Sequence, residues 1–268
     1  MTGVPRLDPS PSGFVIDLDG TVYLGDALLP GAAEAIAHLR ADNRRVVFLT
    51  NKPLERGTDY AEKLSGLGIP TDAADIVTSI DALLHYLASR PPQGPLLMVA
   101  EPLLTTVLGE AGYDVTDDPG AAAMVVVSWD RTFTYDKLER AFRAVRNGAR
   151  IVATNPDPYC PSADGPLPDC AAMLAALEAC TERRAEAIVG KPSRHMARTV
   201  LARLGLPAAD VAMVGDRLLT DVAMARRAGM VAVLVLTGAT SRDDLAASGT
   251  IQPDLVVDDL AQLIERVS

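Results

Sequence analysis

Asp17 and Asp19 stand two positions apart at the end of a short apolar run, Phe14-Val15-Ile16, and Gly20-Thr21 follow at once. β-Branched Val15 and Ile16 ahead of Asp-Leu-Asp-Gly-Thr predict a buried strand whose C-terminal tip carries two carboxylates. Residues i and i+2 of a strand share a face, but the glycine lets the backbone turn, so the two acids can take different roles. One can attack an electrophile while the other moves protons. Read alone, the pair is also consistent with a strand end running into a solvated turn, because Asp and Gly are common turn residues.

Three further apolar runs end in groups that suit phosphoryl chemistry. Val46-Val47-Phe48-Leu49 delivers the Thr50 hydroxyl and the Asn51 amide, and Ala187-Ile188-Val189-Gly190 brings the Lys191 ammonium. Val211-Ala212-Met213-Val214-Gly215 is tipped by Asp216, with Asp221 one turn further on. A phosphate ester repels an anionic nucleophile, so a carboxylate can attack only after that charge is neutralised. Magnesium does this with hard oxygen ligands: one or two carboxylates, waters and substrate oxygens. Each segment has a plainer reading by itself. Thr50-Asn51 is an ordinary strand exit, Lys191 a solvated lysine, and Asp216 a helix N-cap. Gly190-Lys191-Pro192 is not a P-loop, because the upstream glycine spacing is missing. The weight lies in all four together, each at a predicted strand end.

The elements that must position these residues alternate β and α along the whole chain, which predicts a parallel sheet with helices on both faces. Helices are expected over 31–42, 54–67, 193–204 and 218–228, with strands over 231–236 and 255–257 and a last helix from about residue 260. Between Asn51 and Lys191 the same alternation continues, with strands at 96–99, 124–127 and 151–153 and helices at 103–111, 135–147 and 171–179. The stretch 156–168 has loop composition. His38, His85 and His195 fall on predicted helices without a partner pattern and read as surface or packing residues.

Composition sets the outer limits. The 268 residues are 49% hydrophobic, enough for a substantial core, yet no apolar run is long enough to cross a bilayer. No basic segment followed by an apolar one opens the chain, so no signal peptide is expected. Cys160, Cys170 and Cys180 cannot all pair and match no zinc pattern, so they read as structural thiols suited to a reducing cytoplasm. A net charge of -10 argues against a nucleic-acid partner, and the 4% aromatic content leaves few stacking platforms. The sequence allows a homodimer.

The ordered set Asp17-x-Asp19, Thr50-Asn51, Lys191 and Gly215-Asp216-x4-Asp221 resembles the four signature motifs of the haloacid dehalogenase superfamily. The long insertion between the second and third motifs is similar to the type-2 α/β cap of its subfamily IIA, which holds nucleotide, p-nitrophenyl-phosphate and pyridoxal-phosphate phosphatases. The resemblance implies a Rossmann-like, doubly wound parallel core over 1–79 and 184–268, with an inserted α/β cap domain over 80–183. It assigns Asp17 as nucleophile and metal ligand, Asp19 as general acid and base, the Asp19 carbonyl as a second ligand and Asp216 as a third. Asp221 is expected just outside that shell. Thr50, Asn51 and Lys191 are expected to hold the phosphoryl group, with Mg2+ as cofactor. True dehalogenases lack the second aspartate, so Asp19 speaks for phosphate esters.

Departures from the family pattern bear on substrate. Lys52 and Pro53 stand where many relatives carry asparagine and a small hydroxyl residue. Pro168-Asp169-Cys170-Ala171-Ala172-Met173 replaces a Pro-Gly-x-Gly turn, which resembles the sugar-phosphate phosphatases found with arabinose-utilisation genes. Asn155, Asp157, Ser162, Asp164 and Asp169 would offer hydrogen-bond acceptors to a hydroxyl-rich leaving group, with Asn155, Asp157 and Asp169 the foremost specificity residues. A small sugar or polyol phosphate is therefore expected. The alternatives are a nucleotide or pyridoxal-phosphate phosphatase, or a catalytically silent protein that binds a phosphorylated metabolite. A phosphomutase is disfavoured, because too few residues separate Tyr23 from the helix at Gly31 to form its helical cap.

Overall fold

The computed structural model describes residues 7, 9–160, 165–249 and 251–267; Ser162 and Asp164 lie outside them. The chain forms two compact units. The first comprises Met1–Thr50, Gly57–Val77 and Met196–Ser268, and the second Asn51–Arg56 and Thr78–His195.

The first unit is built on a six-stranded sheet. Its order is Leu255–Val257, Val231–Val235, Val211–Gly215, Gly13–Asp17, Arg45–Thr50, Ile76–Thr78. Gly13–Asp17 pairs in parallel with a strand on each side. All five of its residues are buried, as a strand covered on both faces requires. The chain leaves this strand toward Arg45–Thr50 and later returns on its other side, so Asp17 lies where the winding reverses. In open α/β sheets the crevice beyond the strand ends at that point is where ligands bind. Helix Ala32–Ala41 buries Ala35, Ile36 and Leu39, and helix Leu260–Val267 buries Leu260, Leu263 and Val267. They join Phe14, Ile16, Phe48 and Val214 in one core cluster. Each large side chain there contributes ~1.5–3 kcal/mol.

The second unit has its own parallel sheet of four strands, ordered Ala187–Ile188, Arg150–Ala153, Met124–Val127, Leu96–Val99. Leu97, Val99, Val125, Val127, Ile151 and Ala153 pack with Leu174 and Leu177 of helix Cys170–Thr181. Ala187–Ile188, assigned to the core domain by the sequence reading, is the edge strand of this second sheet.

Several elements go beyond the sequence reading. Helix Ser79–Ser89 starts at a capping box, in which the Thr78 hydroxyl accepts from Ile80 N and Asp81 N while Asp81 accepts from Thr78 N. Segment 156–168 contains a short hairpin, Tyr159–Cys160 paired with Leu167–Pro168. The helix expected over 218–228 opens with a π-helical turn, Leu218–Val222, before continuing as α-helix Ala223–Ala228. Among the described residues no helix is long and apolar enough to cross a membrane.

Candidate active site

The first unit gathers one group of residues at the C-terminal edge of its sheet. Asp17 ends its strand opposite Leu49, so Thr50 lies one residue beyond it on the neighbouring strand. On the other side Ile16 is opposite Val214, which places Gly215 and Asp216 beside and just past Asp17. Asp17, Thr50 and Asp216 are all buried, while Asp19 is half-buried. Behind Asp17 the chain turns tightly: Val22 N donates to Leu18 O at 2.9 Å and Gly20 N to Tyr23 O at 2.8 Å. Gly20 has a φ of 87°, the left-handed region that glycine alone enters without strain.

Asp17, Asp216 and Asp221 each place a carboxylate oxygen within 4.8 Å of the other two. Among the described residues they are the one group of three His, Cys, Asp or Glu side chains so arranged. The π turn brings Asp221 there: Asp221 N and Val222 N both donate to Arg217 O, at 3.0 and 3.2 Å. The Asp221 carboxylate then folds back to accept from Arg217 N at 3.0 Å. Expected just outside the ligand shell, it places an oxygen within 4.8 Å of those of Asp17 and Asp216.

Three glycines make room for these acids. A β-carbon on Gly215 would stand 2.4 Å from Asp221 Oδ2, one on Gly20 2.5 Å from Asp216 Oδ2, and one on Gly238 2.0 Å from the same oxygen. Asp216 Oδ2 also accepts from Ala239 N at 2.5 Å. Thr237 Oγ1 donates to Gly20 O at 2.6 Å, tying the two glycine turns together. Three buried carboxylates this close repel one another and lose hydration. A divalent cation with hard oxygen ligands answers both costs, so the donor set fits Mg2+.

The second unit assembles another group. Asn51 Oδ1 accepts from Lys191 N at 2.7 Å, and Asn51 Nδ2 donates to Lys191 O at 3.2 Å and to Asp157 Oδ2 at 2.7 Å. Asn155 Nδ2 donates to Asp157 Oδ2 at 2.9 Å and to Asp169 Oδ1 at 3.2 Å. Asp169 caps helix Cys170–Thr181, accepting from Cys170 N at 2.5 Å. Asn155, Asp157 and Asp169 are all buried. The sequence reading placed them in a polar loop facing substrate; here their side chains bond to one another at the base of the Tyr159–Pro168 hairpin. Asp169 N donates to Pro158 O and Ala171 N to Asp157 O, both at 3.1 Å, which closes that base. Burial pushes the Asp169 carboxyl up to about 6, against the lowering effect of its bonds from Cys170 N and Asn155. Burial likewise pushes the Cys170 thiol up to about 12, so it stays protonated and serves packing.

Sequence reasoning brings out the acids and the Gly20 turn, but not the room that Gly20, Gly215 and Gly238 leave for Asp216 and Asp221, nor Asn51 as a clasp on the Lys191 backbone. Only the fold shows which oxygen Gly238 must admit.

This architecture, a parallel sheet with acidic strand ends at its switch point, defines a class. A sequence model of haloacid dehalogenase-like hydrolases matches residues 14–114, and a second, HAD-hydrolase-like, matches 188–263. The chain is 38% identical to the sugar-phosphatase AraL of Bacillus subtilis over 96% of its length and 94% of that protein's. It is 32% identical to an acid sugar phosphatase of Staphylococcus saprophyticus, covering 95% of this chain and 97% of the other. A 4-nitrophenylphosphatase structure from Thermotoga maritima aligns with a TM-score of 0.91 at 36% identity, over 96% of this chain and 98% of that one. A glycerol phosphate phosphatase from Mycobacterium tuberculosis, in complex with magnesium, aligns with a TM-score of 0.87 at 30% identity, over 97% and 78%. The chain belongs to the haloacid dehalogenase-like hydrolases. Within that family it is a phosphatase.

Proposed function

We propose that this phosphatase hydrolyses small sugar or polyol phosphates through a phospho-enzyme formed on Asp17, with Mg2+ as cofactor. The observation that carries the reading is the buried trio Asp17, Asp216 and Asp221, with oxygens within 4.8 Å of one another at the sheet's switch point. Asp17, Asp216 and the Asp19 carbonyl would hold the ion, with Asp221 beside them. Bound there, it would offset the charge of the phosphoryl oxygens so that a carboxylate can approach.

An oxygen of Asp17 attacks phosphorus, the ester P–O bond breaks, and Asp19 gives its proton to the leaving alkoxide. Asp19 then takes a proton from a water that attacks the same phosphorus. The bond to Asp17 breaks, releasing orthophosphate and restoring both carboxyl groups. Splitting one displacement into two lowers each barrier. Thr50 holds a phosphoryl oxygen, and Lys191 supplies positive charge to the phosphoryl group.

The second unit serves as the substrate-selecting cap in this proposal. Asn155, Asp157 and Asp169 influence specificity by fixing the base of the Tyr159–Pro168 hairpin. The sugar phosphatases among the relatives support a hydroxylated substrate, and the magnesium-bound relative supports the cofactor. We place the enzyme in the cytoplasm without a nucleic-acid partner, in keeping with three cysteines that match no disulfide framework and a net charge of -10.

The test is hydrolysis of p-nitrophenyl phosphate with magnesium and with excess chelator, followed by a substrate panel. Sugar and polyol phosphates should show the highest kcat/KM. A nucleoside monophosphate or pyridoxal phosphate at the head of the panel would refute the substrate class while leaving the phosphatase chemistry standing.

A further inference from the structure

We propose that Asp157 is a positioning residue for Lys191, acting through the side chain of Asn51. The proposal rests on the reading of Lys191 as the cation that neutralises the phosphoryl group. Asn51 meets the Lys191 backbone in both directions, accepting from its N–H at 2.7 Å and donating to its carbonyl at 3.2 Å. The second Nδ2 hydrogen goes to Asp157 Oδ2 at 2.7 Å. Only one orientation of the amide satisfies this set. Rotated by half a turn, Nδ2 would face the Lys191 N–H, and Oδ1 would face a carbonyl and a carboxylate. Asp157 therefore holds the amide the right way round for the Lys191 backbone.

The arrangement is dry and tightly seated. Asn51, Asn155, Asp157 and Lys191 are all buried, so each bond acts in a medium where polar contacts are strong and their loss is costly. Asn155 Nδ2 steadies Asp157 Oδ2 at 2.9 Å, and Asn155 Oδ1 is itself held by Thr154 Oγ1 at 2.9 Å. A β-carbon on Gly190 would stand 2.7 Å from Asn51 Oδ1 and 2.5 Å from Thr154 O. Glycine thus lets the amide lie flat against the chain just before Lys191. Removing the carboxylate releases the amide to turn, and the backbone that carries the lysine moves with it. Displacement by an ångström costs about 100-fold in rate where charge must meet charge.

A double-mutant cycle tests this, with kcat/KM for p-nitrophenyl phosphate as the readout and circular dichroism to confirm folding. Asp157→Ala should lower kcat/KM by ~10–100-fold in the parent enzyme but by less than about threefold in Lys191→Ala. A purely structural role would lower both backgrounds by the same factor, and that result overturns the proposal. So does an Asp157→Ala enzyme as active as the parent. Should Asp157→Ala not fold, Asn51→Ser enters the same cycle under the same criterion. The Lys191→Ala arm alone judges the underlying reading: activity within about threefold of the parent there refutes the phosphoryl role of Lys191 whatever Asp157 does.

Discussion

Asp216 Oδ2 occupies the place where a side chain on residue 238 would begin: a β-carbon on Gly238 would stand 2.0 Å away. Neither group can yield easily, since Asp216 is 2% exposed and its Oδ2 is bonded to Ala239 N. Gly238→Ala should therefore push the Asp216 carboxylate out of the trio and lower kcat/KM by about 100-fold or more. Gly66→Ala is the control, because a β-carbon there meets nothing within 4 Å. An active Gly238→Ala enzyme would show that Asp216 does not need its present position.

Asp17 and Asp19 should separate kinetically. Asp17→Asn keeps the shape but removes the charge that attacks, so turnover should fall to background while the fold survives. Asp19→Asn keeps the nucleophile and loses the proton carrier, so turnover should slow by roughly 100-fold or more with metal affinity largely intact. Single-turnover kinetics and magnesium titration of both variants provide the check. Substantial turnover by Asp17→Asn would refute the phospho-aspartate route.

The metal requirement should follow the carboxylate trio. Chelation should abolish activity and magnesium restore it, with calcium a poor substitute because it takes more ligands at longer range. Asp221 places a carboxylate oxygen within 4.8 Å of those of Asp17 and Asp216. Asp221→Asn should therefore raise the magnesium needed for half-maximal activity by ~10–100-fold. Full activity in excess chelator would remove the metal from the reaction.

Which of these features could be read before the fold was known depends on how local they are. The Asp17 strand was legible because apolar β-branched residues and the glycine turn are adjacent in sequence. The cap of helix Ser79–Ser89 is equally local, in Thr78-Ser79-Ile80-Asp81, but the apolar signals around it are stronger. The clearance between Gly238 and Asp216 is set by two loops distant in sequence, so only the sheet reveals it. The same holds for Asn51, whose partners Asp157 and Lys191 lie 106 and 140 residues away. Asn155, Asp157 and Asp169 read as a polar loop facing the leaving group, because short polar residues near proline and glycine usually form loops. Their burial follows from packing against the start of helix Cys170–Thr181. The π turn at Leu218 was hidden for a different reason: it keeps an apolar pattern close to that of an α-helix.

Asp169 should make stability depend on pH. Burial raises its carboxyl from 3.8 to about 6, with the neighbouring Asp157 adding to the rise and Lys52 opposing it. Between those values the folded chain holds a proton that the unfolded chain has released. The group's contribution to stability is thus most favourable below about pH 4 and is lost as pH rises through about 6. A shift of this size corresponds to about 3 kcal/mol at neutral pH. Asp169→Asn resembles the protonated acid, and its Oδ1 can still accept from Cys170 N and Asn155 Nδ2. The variant should match the parent near pH 3 and exceed it by about 1–3 kcal/mol near pH 7.5. Urea unfolding of both proteins at the two pH values measures the difference directly. A difference that stays constant across the range, or a variant less stable at pH 7.5, would show that Asp169 is held as a well-compensated carboxylate instead.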